Sequence, residues 1–213
     1  MTTKNRFEFI IGYFKKNNPD ASTELRYKNS YELIVAVILS AQCTDKRVNV
    51  ITPAFFEAFP DFKSLSIATP ENVFLIIKSC SYPNNKTKNL IAMAQTVVGR
   101  FGGQLPEEVA ALEEIPGVGR KTANVLASVL FNKPVIAVDT HVFRVSARIG
   151  LTTNAKNPHM TEMQLNRHIP GELRALAHHW LILHGRYVCT ARSPKCHLCG
   201  VQSACRYFEK LSK

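Results

Sequence analysis

Four cysteines crowded near the C-terminal end of this chain constrain it most, in the order Cys189-x6-Cys196-x2-Cys199-x5-Cys205. The two remaining cysteines, Cys43 and Cys80, read as packing residues. Thiols this dense point to a metal centre rather than disulfides, because the N-terminal MTTKNRFEF lacks the apolar core of a signal peptide and a cytosolic compartment is reducing. Pro194 and Gly200 break the segment, so it can wrap one compact centre. A zinc ion held by four thiolates and a 4Fe-4S cluster both satisfy this spacing. In either case the protein supplies all four ligands and leaves no open position for a substrate, which makes the centre structural.

A second constraint lies in Leu112–Val145, LEEIPGVGRKTANVLASVLFNKPVIAVDTHVFRV. Pro116-Gly117-Val118-Gly119 cannot continue a helix: proline removes a donor and glycine permits positive φ, so the run Pro106–Ile115 must stop and the chain reverse. Beyond the turn, Ala123, Val125, Leu126, Val129 and Leu130 recur at helical spacing, which predicts a second helix from about Gly119 to Asn132. The resulting helix–hairpin–helix presents backbone N–H groups at a helix N-terminus, a geometry suited to a phosphate oxygen and equally open to reading as an ordinary αα-turn. Lys121 falls in the first helical turn, where the positive end of the dipole disfavours an ammonium ion. A lowered pKa there leaves some free amine, able to attack an electrophilic carbon and form a Schiff base; the alternative is a solvated lysine. Asp139 is embedded in Val135–Phe143 among apolar residues; either it or Thr140 is expected to cap a helix through His141–Ile149, and a capping carboxylate can still stabilise a cationic sugar.

The remaining periodicity is helical. It predicts helices over Arg6–Asn17, Tyr31–Ala41, Asp45–Phe59, Pro70–Ser79, Lys86–Phe101, Thr161–Ile169 and Glu172–Tyr187, with Ser81–Asn85 as a turn. No alternating strand pattern of useful length occurs, so the fold is expected to be all-α. The longest apolar run, Leu33–Leu39, is too short to span a bilayer. A net charge of +11 favours a polyanionic partner.

The IPGVGRKTAN and VDTHVFRV segments, Ser40-Ala41-Gln42 and the cysteine spacing together resemble the endonuclease III family, DNA repair glycosylases of the helix–hairpin–helix superfamily, over nearly the whole chain. This resemblance implies two helical domains with a cleft between them: a six-helix domain over about 22–133, and a discontinuous iron–sulfur domain of 1–21 plus 134–213. It also decides the metal centre as one 4Fe-4S cluster on Cys189, Cys196, Cys199 and Cys205. By resemblance Lys121 is the nucleophile and Asp139 its carboxylate partner, while Gly117, Val118 and Gly119 hold the phosphate backbone. Gln42 resembles the family's residue that enters the gap left by a flipped nucleotide; Arg192 and Lys195, between the first two cysteines, are open to reading as phosphate contacts on a metal-pinned loop or as solvated charges. The family's second wedge position falls in Ser81–Asn85, where Cys80-Ser81-Tyr82-Pro83 departs from the more usual glycine-leucine-tyrosine. His141 receives no catalytic role.

The implied activity is removal of oxidised or ring-saturated pyrimidines from double-stranded DNA, followed by strand cleavage at the abasic site through β-elimination. A bacterial, cytoplasmic, nucleoid-associated monomer is expected. Two other readings compete: a monofunctional mismatch adenine glycosylase, and a DNA-binding module without catalysis. Lys121 speaks against the first, since that type lacks a lysine at this place.

Overall fold

Every regular element among the described residues, 1–211, is helical in the computed structural model. In chain order these are α1 (Thr3–Asn17), α2 (Ser30–Ser40), α3 (Asp45–Ala58), α4 (Phe62–Ser66), α5 (Pro70–Ile77), α6 (Pro83–Phe101), α7 (Val109–Glu113), α8 (Arg120–Phe131), α9 (Thr140–Ile149), α10 (Pro158–His168), α11 (Arg174–Tyr187) and α12 (Arg206–Leu211). Short 3-10 turns occupy Gly171–Leu173, Cys196–Leu198 and Gln202–Ala204. No helix among the described residues is long and apolar enough to cross a membrane. The chain divides into two compact units, Thr23–Phe131 and Met1–Ser22 with everything from Asn132 onward.

The first unit is built on α2. Tyr31 and the whole run from Leu33 to Leu39 are buried, so this helix is covered on every side by α3, α6 and α8. Its start is fixed by Asn29, whose side chain accepts from Glu32 N at 2.9 Å. Thr44 caps α3 and Thr69 caps α5 in the same manner. Asp61 and Ser64 form a reciprocal capping box on α4, and those bonds hold the Asp61 carboxyl below the usual range. Helix α4 escapes sequence reading because five residues are too few to show a period.

Several boundaries differ from expectation, α1 and α10 among them, each beginning three residues early at Thr3 and Pro158. The first hairpin helix covers only Val109–Glu113, since Glu108 is extended and caps it while Pro106-Glu107 carry no buried apolar side chain. Helix α6 begins at Pro83, three residues earlier than predicted, because proline suits the first helical position as well as a turn. Pro53 sits inside α3, which continues through it.

In the second unit α1 lays Phe7, Ile10 and Phe14 into a core with Val142, Val145, Ile149, Leu165, Trp180 and Leu181. Phe14 stacks on Trp180 at 5.8 Å, and Trp180 Nε1 donates to Asn18 O at 2.7 Å. Burying a ring such as Phe14 contributes about 1.5–3 kcal/mol, so α1 is an integral part of this core. Arg6 Nε, itself buried, donates to Ala204 O at 2.8 Å and joins α1 to the end of the cysteine loop.

Candidate active site and cluster loop

At the hairpin, Gly117 takes φ +82, and a Cβ there would stand 3.0 Å from the Asn89 Cβ. Glycine is therefore required twice over at 117. Gly119 is different: its φ is ordinary and a Cβ would meet nothing within 4 Å. Gly119 O accepts from Ala123 N at 2.9 Å, which makes it the cap of α8, and it has no side chain to cover the amides of the first turn. The Val118 amide is engaged with Ile115 O at 3.0 Å and its side chain is buried, so Val118 braces the turn rather than offering its N–H. Ion pairs from Arg120 to Glu113 and from Arg100 to Glu114 tie the hairpin to itself and to the end of α6. Lys121 is half-buried in the first turn of α8, two residues beyond Gly119. An anion resting on that uncovered helix end would lie beside its amine.

Gln42 follows α2, is exposed, and holds a left-handed backbone at φ +53; Tyr82, the cap of α6, does the same at φ +55 with its ring 62% exposed. Left-handed backbone in a residue other than glycine costs on the order of 1 kcal/mol or more and persists only where surroundings impose it. Here the two turns impose it on each other: Ser81 Oγ donates to Gln42 O at 2.6 Å. Beneath them Lys86 is buried, with Nζ donating to Leu39 O at 2.7 Å and Ala41 O at 2.8 Å. Burial lowers the Lys86 pKa, and burial pushes the Cys80 thiol up to about 11. Lys86 did not stand out in the sequence, whereas Tyr82 falls in the Ser81–Asn85 segment to which the resemblance assigns the second wedge.

In the second unit Asp139 caps α9 as expected, its Oδ1 accepting from Val142 N at 2.8 Å. Two arginines farther along α9 grip the cysteine loop. Arg144 Nη2 donates to Gly185 O at 2.9 Å and to Cys189 O at 3.2 Å, and lies 3.2 Å from His141 Nδ1. Arg148 donates to Thr190 O at 2.7 Å and Ala191 O at 2.8 Å, approaches Cys189 Sγ at 3.6 Å, and covers the Tyr207 ring at 4.9 Å. A Cβ on Gly185 would stand 2.9 Å from the His141 Cβ, so glycine lets α11 come this close to α9. The four-residue spacing of Arg144 and Arg148 is the sequence signal that reasoning passed over. Arg192 and Lys195 are exposed on the gripped loop, which is further knit by Thr190 Oγ1 donating to Ser193 O and Lys195 N donating to Val188 O.

Cys189, Cys196, Cys199 and Cys205 line one cavity with Ile149, His184 and Val201. Gathered around one cavity, the four thiols would hold one compact centre, with protein supplying every ligand. Burial raises the Cys199 and Cys205 thiols, so loading must displace their protons. His184 is lowered to about 4 by burial and is neutral, with Nε2 at 3.7 Å from Cys199 Sγ as a neighbour to the ligand.

Comparison with known proteins agrees with this architecture. Residues 35–170 match the HhH-GPD superfamily of base excision DNA repair proteins, and residues 189–205 match the iron–sulfur binding domain of endonuclease III. Endonuclease III of Rickettsia conorii is 45% identical over 202 residues, covering 95% of this chain and 96% of the relative. The Escherichia coli K12 endonuclease III is 41% identical over 211 residues, covering 99% of each. A solved structure of a trapped endonuclease III–DNA covalent intermediate superposes with a TM-score of 0.94 at 38% identity, over all of both chains. A thermostable thymine-DNA glycosylase shares the fold at 22% identity and a TM-score of 0.87. With the family match spanning more than half its length and full-length relatives above 40% identity, the chain belongs to the endonuclease III family of HhH-GPD base excision repair enzymes, DNA glycosylases and abasic-site lyases that carry a 4Fe-4S cluster.

Proposed function

We propose that this enzyme removes oxidised or ring-saturated pyrimidines from duplex DNA and then cuts the strand, with Lys121 as nucleophile and Asp139 as its carboxylate. The observation that carries this reading is the place of Lys121, half-buried in the first turn of α8 just beyond the uncovered end at Gly119. The phosphate of the damaged strand rests on that end, which delivers the adjacent sugar to the amine. The covalent capture of a relative on DNA supports the same chemistry.

The steps follow from the residues. The neutral Lys121 amine attacks C1′ of the extruded nucleotide while the Asp139 carboxylate stabilises positive charge on the sugar and assists removal of the amine proton. The glycosidic bond breaks, the base leaves with its electron pair, and ring opening gives a Schiff base between Nζ and C1′. This iminium acidifies C2′; loss of that proton expels the 3′ phosphate oxygen and cuts the strand 3′ to the lesion. Gln42 fills the gap in the helix and hydrogen-bonds the orphaned partner base. Tyr82, exposed beside it, serves as the second wedge, because Ser81 stands where the family commonly has leucine and is too small to fill a gap. Cys189, Cys196, Cys199 and Cys205 hold the cluster, which supplies structural cross-linking, and Arg192 and Lys195 contact phosphates from the loop it fixes. The enzyme works as a monomer on the DNA of the nucleoid.

The test is incubation with duplexes carrying one thymine glycol or one A·G mismatch. Release of the glycol with strand cleavage is the expected result; loss of adenine from the mismatch with an intact strand would establish the monofunctional alternative. An Asp139→Ala variant should bind lesion duplex yet lose at least about a hundredfold in excision rate. The hairpin gives a sharper prediction: Gly119→Ala folds with an unchanged melting temperature, because its Cβ meets nothing, but places a methyl where the phosphate rests. Duplex affinity should fall about tenfold and the salt dependence flatten, whereas Gly117→Ala should also melt earlier because its backbone is left-handed. Equal effects of the two substitutions on melting would remove the distinction.

A further inference from the structure

Between α2 and α3 every backbone carbonyl from Leu39 to Gln42 is held by a specific donor. Lys86 Nζ takes Leu39 O and Ala41 O, Cys43 N takes Ser40 O at 3.0 Å, and Ser81 Oγ takes Gln42 O. Two of these donors are side chains on the α5–α6 connection and the first turn of α6, far from Gln42 in sequence. A buried ammonium at a helix C-terminus opposes the negative end of the dipole, and only its reach to two carbonyls makes its burial tolerable. Ser81 closes the last carbonyl, that of the residue whose backbone is left-handed. Had these carbonyls been left to water, nothing would keep Gln42 at positive φ, and its side chain would sample other directions.

We propose that Lys86 and Ser81 are positioning residues for Gln42, fixing the turn so that the glutamine amide is aimed at the base opposite the lesion before DNA arrives. The proposal rests on the reading of Gln42 as the residue that fills the vacated gap. Because Ser81 directly precedes Tyr82, the same hydrogen bond sets both wedges in one register, so that they enter the duplex together. Discrimination of the opposite base thus resides partly in residues other than Gln42 itself.

The experiment compares wild type, Ser81→Ala, Gln42→Ala and the double variant of the cluster-loaded enzyme. Single-turnover excision of thymine glycol is measured opposite adenine and opposite guanine, with half-saturation and maximal rate read separately. Ser81→Ala should keep the wild-type melting temperature, raise half-saturation by about tenfold, and bring the rates opposite the two bases closer together. In the Gln42→Ala background the same serine substitution should do nothing further, because the side chain it aims is gone. Additive effects of the two substitutions, or an unaltered opposite-base ratio in Ser81→Ala, would overturn the positioning role while leaving Gln42 in place. If Gln42→Ala itself matches wild type, the gap-filling reading falls and this inference with it. Lys86→Met should shift half-saturation in the same direction, and is read alongside its melting curve since it orphans two carbonyls.

Discussion

With Lys121 replaced by glutamine, borohydride is expected to trap no covalent complex on a thymine glycol duplex that captures the wild-type enzyme efficiently. Glutamine matches the length of the lysine stem closely and keeps a polar tip in its half-buried place on α8, so the hairpin is undisturbed. Its amide nitrogen has no lone pair free to attack C1′. Strand cleavage at a preformed abasic site should fall by at least about three orders of magnitude, the scale seen when a covalent nucleophile is deleted. Binding to the same duplex should stay within about threefold of wild type, since the helix end at Gly119, proposed to hold phosphate, is intact. Persistent trapping in the variant would place the nucleophile on another amine. Full retention of cleavage without trapping would instead mean that no Schiff base forms at all.

Cys199→Ser is expected to have the largest effect on stability. The cavity lined by the four cysteines is walled on one side by Ile149 of α9 and on another by His184 of α11, so the cluster ties both helices to the loop. A serine oxygen is a poor ligand for iron in such a site, and the loop would then close over an empty cavity. Loss of a structural metal centre is among the few single changes that exceed about 4 kcal/mol, so the variant should lose the visible absorption of the cluster and melt far earlier. The second unit should be selectively affected, because Thr23–Phe131 has its own core around α2. Hydrogen exchange would show this as loss of protection in α9 and α11 with α2 and α8 retained. Uniform loss across both units would contradict the division.

How much of this was legible in the sequence depended on the range of the interaction. The all-helical fold came from local periodicity, and caps such as Thr69 and Asp139 are encoded within three residues of the bonds they make. Gly117 was legible too, since a tight turn before a helix demands positive φ, whereas Gly119 looked equivalent and is not. The cysteine spacing left zinc and iron–sulfur undecided until the family resemblance was added, because spacing does not report how far apart the thiols stand. What stayed hidden were long-range side-chain bonds to backbone: Lys86 to Leu39 and Ala41, Arg148 to Thr190 and Ala191. No local pattern marks an acceptor that is a carbonyl dozens of residues away. The left-handed backbone of Tyr82 was hidden for a related reason, because it is imposed by neighbours and not by the tyrosine's own preferences.

The interleaving of α1 with the far end of the chain also sets an order of events during synthesis. Thr23–Phe131 is contiguous and can collapse as soon as it leaves the ribosome. Helix α1 emerges first, yet its partners Trp180 and Ala204 are made last. At bacterial translation speeds of roughly 5–20 residues per second, Phe7 and Phe14 remain without their native core for on the order of ten seconds or more. Iron must arrive later still, after Cys205 is exposed to the solvent. A newborn chain therefore holds a folded hairpin well before the unit that carries Asp139 exists.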